Sequence, residues 1–170
     1  MADETLQKGD WIVHKQHGVG QIKEIEKKTI GGKIQDYFRV KVSGGVYWLP
    51  TSKIPDYVRS VSSRYKFRKT FKLIRKTPEA LPRDYKERDK LIAVRLADAT
   101  LEAKGELIRD LFARRHDDQL NMSALNEKQL AELRKQFVRE MVVVLGIEVQ
   151  EAEKRLEKAL QASLLKARDE

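Results

Sequence analysis

The sequence predicts an α+β chain: a small, strongly curved N-terminal β-barrel, then an all-α helical domain of about five helices. Two observations carry this. Residues 6–54 are rich in β-branched and aromatic residues, with glycine turn signals between short runs. From about Ser62 the apolar residues recur instead at helical spacing. The expected domains are 1–58 and 59–170.

Four strands stand out in the first domain: Trp11-Ile12-Val13, Gly20 to Ile25, Tyr37 to Val42 and Val46 to Leu49. Gly31-Gly32 and Ser43 to Gly45 mark hairpins, because glycine accepts the positive φ of tight primed turns. Four or five short strands suit an SH3- or Tudor-like barrel better than a wide sandwich. Pro50 and Pro55 close the segment, since neither belongs in a central strand. In the second domain Phe67, Phe71 and Ile74 share a helical face, and Leu91, Val94, Leu101, Leu107, Ile108, Leu111 and Phe112 continue the spacing. Pro82 suits the first turn of a new helix. Asn126 with Gln129 reads as a capping box ahead of Leu130, Leu133, Phe137, Met141 and Val144, and Gly146 as a helix stop. A last amphipathic helix carries Ala152, Leu156, Ala159 and Leu160.

Composition narrows the function classes. Hydrophobic residues make up 41% and charged residues 36%, as expected of a soluble folded chain. Runs such as Met141 to Leu145 are far short of the ~20 residues that span a bilayer. The opening "MADETLQKGD" has no apolar stretch of signal-peptide type. The absence of cysteine excludes disulfides, thiolate zinc sites and a Cys nucleophile, and fits a cytoplasmic location. A net charge of +9 favours polyanionic partners. Between Arg59 and Lys76 lie eight cations and no acid. A charge run is ordinarily a solvated helix face. Here pairs such as Arg68–Lys72 and Lys72–Lys76 repel at i,i+4, which tilts the reading towards a phosphate-facing surface.

Candidate chemistry is sparse. His14 and His17, three apart, would sit on opposite faces of a strand, and no further ligands follow to complete a metal site. Gly18-Val19-Gly20 lacks the third glycine of a dinucleotide fingerprint and the Lys-Ser/Thr of a P-loop. The carboxylates Asp84, Glu87, Asp89, Asp117 and Asp118 lie among basic partners rather than paired in an apolar setting. Ser123 and Ser163 have no nucleophile elbow. No catalytic, metal or cofactor site is expected.

The segment from Lys8 to Val42 resembles the opening of the CarD/CdnL family of bacterial transcription regulators, a module shared with the transcription-repair coupling translocase. The matching features are Gly9-Asp10, His17-Gly18-Val19-Gly20, Ile25-Glu26 to Thr29-Ile30-Gly32, Tyr37 to Val42 and the apolar-Pro pair Leu49-Pro50. The helical half is similar too, at Ile74-Arg75, Pro82 to Tyr85 and Leu145 to Glu153.

The resemblance implies a non-enzymatic, monomeric adaptor. Its Tudor-like domain would dock on the RNA polymerase β subunit, partly by strand addition, through Lys28, Tyr37, Arg39, Lys41 and Trp48. Its helical domain would contact promoter DNA at the upstream bubble edge, insert an aromatic wedge into the minor groove and stabilise the open complex. Tyr85 is at the wedge position, with Arg83, Lys86, Arg88, Arg68 and Lys72 as phosphate contacts. Two departures stand out. The family's usual wedge is tryptophan, so Tyr85 is either a weaker wedge or a helix-start core residue. Many relatives have arginine where this chain has Trp48, which is either an interface anchor or a barrel-core residue. A rival reading, also compatible with the opening motif, is a KOW- or Tudor-like barrel that binds RNA or the ribosome, with a helical protein-interaction module.

Overall fold

The β-branched and helical halves segregate into two compact units, divided between Val61 and Ser62, in a computed structural model that describes residues 5–169. Each is described by itself.

The first unit is one antiparallel sheet of β1 (Trp11–His14), β2 (Gly18–Ile30), β3 (Lys33–Val42), β4 (Gly45–Pro50) and β5 (Val58–Ser60), in the order β4-β3-β2-β1-β5. The order and size are Tudor-like, as expected, but the ring stays open. Among the described residues the outer strands β4 and β5 pair only inwards, with β3 and β1. Ile12, Ile22, Phe38, Val40, Leu49 and Val58 form its core.

β2 and β3 run longer than the sequence suggested and make a hairpin closed by Gly31 and Gly32, both at positive φ, as a primed two-residue turn requires. The ladder has one fault. Ile22 faces Val40 and Glu24 faces Arg39, so Lys23 is an extra, unpaired residue, a β-bulge. Gly20 is a glycine for packing: a Cβ there would lie 2.8 Å from both Val40 Cγ1 and Val42 Cγ1. The turn after β1 comprises Lys15 to His17, earlier than the glycine triplet. Because it intervenes, His14 and His17 do not sit on opposite faces as expected. Their rings lie 4.4 Å apart, and both pack on Tyr47.

The second unit holds α1 (Arg64–Ile74), α2 (Tyr85–Ala97), α3 (Leu101–Arg115), α4 (Ala124–Leu145) and α5 (Val149–Asp169). α3 is central: Leu107, Ile108, Leu111 and Phe112 are buried among Phe67, Ile92, Leu130, Phe137 and Leu156. A Cβ on Gly105 would stand 2.7 Å from Thr70 Cγ2, so this glycine lets α1 lie close against α3. Asp110, wholly buried, accepts hydrogen bonds from Glu79 N–H, Arg95 Nη1 and Arg109 Nε at 2.8–2.9 Å, tying the α1–α2 connection and α2 to α3.

Several boundaries differ from expectation. α2 starts at Tyr85 behind the N-cap Asp84, so Pro82 precedes the helix rather than opening it. Leu91 and Val94 are exposed and Ile92 is the buried residue, because Arg88 and Ile92 set α2's inward face. α4 is capped by Ser123, whose Oγ accepts from Asn126 N–H at 3.0 Å. Asn126 is therefore a buried first-turn residue and not the cap. Gly146 ends α4 in the left-handed conformation as anticipated.

Candidate functional site

The five residues expected to meet polymerase fall on one face of the sheet. Alternation places Tyr37, Arg39 and Lys41 of β3 opposite the Phe38 and Val40 core side. Arg39 stands directly across from Trp48 on β4 and from Glu24 on β2, and Tyr37 faces Glu26. The polar groups interlock. Glu26 accepts from Arg39 Nε at 3.1 Å with one carboxylate oxygen and from Trp48 Nε1 at 3.0 Å with the other. Lys28 Nζ sits 3.3 Å from the centre of the Trp48 ring. Trp48 is 41% exposed and is not a core residue; the core positions of its strand are Tyr47 and Leu49. The open edge beside this face belongs to β4, since β3 is hydrogen-bonded on both sides.

At the far end of β1, His14 Nδ1 accepts from the backbone N–H of Gln16 (3.0 Å) and His17 (3.2 Å). That role needs an unprotonated nitrogen. Burial first, and then the neighbouring His17, lower its pKa below the ordinary 6.5. Burial and the nearby Tyr57 push the Tyr47 hydroxyl up to about 12. Among the described residues no cluster of three or more His, Cys, Asp or Glu could hold a metal ion. The histidines are part of an aromatic packing cluster with Tyr47 and Tyr57.

In the helical unit the expected DNA residues separate into two places. Tyr85 is the first residue of α2 and 60% exposed, which rules out a core role. Lys86 Nζ lies 6.0 Å from its ring, and Arg83 is exposed in the turn before it. Arg88 is different. It is 4% exposed, and its guanidinium donates from Nε to Asn126 Oδ1 (2.9 Å) and from Nη1 to the carbonyls of Pro82 (3.2 Å) and Arg83 (2.9 Å). A side chain committed in this way does not face DNA, so the expected phosphate contact at Arg88 is corrected to a support for the turn. Sequence spacing could not reveal this, because Asn126 is 38 residues away. Arg114, also buried, is near enough to Arg88 and Arg83 to feel both. Burial, then Arg88, lower its pKa, with Arg83 adding to this and Asp117 opposing it.

Arg68 and Lys72 stand elsewhere, on α1 across a cleft from α5. Nothing among the described residues links them to Tyr85 by hydrogen bond or ion pair.

Comparison with known proteins decides the family. Residues 6–62 match the CarD-like/TRCF RID domain, and residues 69–157, about half the chain, match the CarD C-terminal domain. The chain belongs to the CarD family. Its first unit is thus a CarD-like RNA polymerase-interacting domain, and the chain a CarD-like transcription factor. It is 28% identical over 148 residues to the "Putative transcription factor YdeB" of Bacillus subtilis, covering 84% of this chain and 94% of that protein. It is also 39% identical over 41 residues to the "Transcription-repair-coupling factor" of Rickettsia typhi, a match that covers 24% of this chain and 4% of that one. In this CarD-family chain the motif residues have physical roles. His17 stacks on Tyr47, Gly18 adopts φ 74°, and Gly20 leaves room for β3.

Proposed function

We propose that this CarD-family protein docks on the RNA polymerase β subunit and contacts promoter DNA at the upstream edge of the bubble, stabilising the open complex. The observation that carries the first half is the gathering of Lys28, Tyr37, Arg39, Lys41 and Trp48 on one face of the polymerase-interacting domain. Trp48 is the anchor, an aromatic ring held upright by Glu26 and Lys28 and surrounded by charge. β4 offers the free edge for strand addition, and Pro50 limits that pairing at its end.

The DNA half rests on Tyr85. It stands exposed at a helix start, flanked by Arg83 and Lys86, on a turn whose carbonyls Arg88 holds in place. The cations contact phosphates without reading sequence, and the ring stabilises an unstacked step in the minor groove. Binding to polymerase supplies a high local concentration, so weak DNA affinity suffices. The protein acts as a cytoplasmic monomer without catalysis. Arg68 and Lys72 are not included in this DNA surface, because they line a different one.

The test is binding of the full chain to isolated polymerase β subunit, alongside Trp48→Ala and Arg39→Glu. Loss in both variants with an unchanged fold is expected. Retention in both refutes the docking face. Recovery of ribosomal components in place of polymerase from lysate would instead favour the RNA-binding alternative.

A further inference from the structure

The cleft between α1 and α5 has a volume of about 660 Å³, within the range of real binding sites. Its floor is apolar: Phe67, Phe71, Leu145, Ala159 and Ala162. Its rims are cationic: Arg64, Arg68, Lys72 and Arg75 from α1, and Arg155 and Lys158 from α5. Among the described residues no carboxylate lines it. Of the six cations, only Arg155 has an ion pair among the described residues, with Glu151 on its own helix at 3.1 Å. Arg64 donates to the Leu145 carbonyl at 3.4 Å, and Ser163 Oγ donates to the Lys76 carbonyl at 2.6 Å, so the two ends of α1 are fastened.

Shape and charge together restrict the occupant. The α1 residues that line the cleft are spaced 64, 67, 68, 71, 72 and 75, which is one stripe along the entire helix. At 1.5 Å per residue the trough is roughly 16 Å long. Its complement has an apolar stripe flanked by negative charge. A DNA backbone meets the rims but has no apolar face for the floor. A second copy of this chain, with net charge +9, brings like charge. Within the rim, Arg64, Arg68 and Lys72 repel one another at i,i+4 until an acidic partner intervenes.

We propose that this cleft is a docking groove for an acidic, amphipathic helix of about three turns from another protein. The assignment is independent of Trp48 and Tyr85. It gives the helical unit a second partner surface, for a protein rather than a nucleic acid.

The test uses the full chain and a labelled acidic probe peptide of about 12 residues, with leucines on one helical face and glutamates on the others. The comparators are a scrambled peptide of identical composition and a short DNA duplex. The ordered probe should bind at least about tenfold more tightly than the scrambled one, with amide shift changes confined to α1, α5 and the Leu145 end of α4. Lys72→Glu, at an exposed site, should weaken it about tenfold, and Ala162→Glu in the floor should do the same. Both variants should keep the wild-type urea midpoint. If Ala162→Glu fails to fold, Lys72→Glu alone decides. Equal binding of ordered and scrambled peptides, or shifts elsewhere, overturns the proposal. So does a duplex that shifts α1 and α5 when the probe does not, which makes the cleft a phosphate surface.

Discussion

The outer sheet face and the start of α2 present the same kinds of groups, an aromatic ring among cations, and support them in opposite ways. On the sheet the support is exposed and local. Glu26, Lys28, Arg39 and Trp48 hold one another across adjacent strands, and the core behind them is a separate set of residues. At α2 the support is buried and distant: Arg88 spans from the Pro82–Arg83 carbonyls to Asn126 at the start of α4. A ring on a strand inherits its position from the ladder. A ring at a helix start depends on what fixes the turn before it. The residues that support the sheet face should therefore tolerate substitution without unfolding, whereas Arg88, buried behind the start of α2, should not.

The sharpest break of that contrast is Arg88→Ala. It leaves the buried Asn126 Oδ1 and two part-buried backbone carbonyls without their donor, at a cost of about 3 kcal/mol. The urea midpoint should fall accordingly, and DNA-dependent function with it. Next comes Trp48→Ala. Loss of an anchor should weaken β-subunit binding by about 2 kcal/mol, roughly thirtyfold, measured by titration. Stability should change by less than about 1 kcal/mol, since the Trp48 ring bonds to Glu26 and Lys28 at the solvent-facing surface. A stability loss as large as that of Arg88→Ala would erase the distinction.

Smaller again is Tyr85. Tyr85→Trp should lengthen open-complex lifetime severalfold on one promoter and Tyr85→Ala shorten it, with stability within about 0.5 kcal/mol in both. Equal lifetimes would remove the wedge. The smallest effect is a pH dependence in the sheet unit. The His14 pKa is lowered in the folded chain, so below about 6.5 the unfolded chain binds the proton more readily. Stability should thus be full above that pH, decline as pH falls through it, and level off once the folded form is protonated too. His14→Gln should flatten this part of the urea-midpoint profile.

Much of the fold was legible because it follows from alternation and spacing. Phe67 and Ile74 are buried on one face of α1, and Gly146 stops α4 through a backbone conformation that suits glycine. The outward position of Trp48 was legible in principle from Tyr47 and Leu49 on either side of it. Asn126 misled because Asn-x-x-Gln is the pattern of a cap, and the Asn126 amide does donate to Gln129 Oε1; the hydroxyl of Ser123 takes the cap itself. Arg88 misled more deeply. Its neighbours Arg83 and Lys86 are exposed, and only packing against α4 distinguishes it. The pairing of His14 with His17 was hidden by a turn that starts earlier than its glycines.

Lys23, the unpaired residue of β2, has a bearing on how this hairpin tolerates change. Up to Ile22 the even-numbered residues of β2 point to the core side, while from Glu24 onward the odd-numbered ones share a side with Phe38. The bulge is a change of parity. Glu24, Glu26 and Lys28 join Arg39 and Trp48 only because it occurs before them. Removing Lys23 itself would merely straighten the ladder, with Glu24 still opposite Arg39. Removing either neighbour while the bulge persists would exchange the two sides of β2 beyond it against an unchanged β3, moving Ile25 to the side of Arg39 and the anchor's carboxylate to the side of Phe38. With the bulge retained, the loss of one codon beside Lys23 would thus replace the carboxylates next to Arg39 and Trp48 with the residues now behind them.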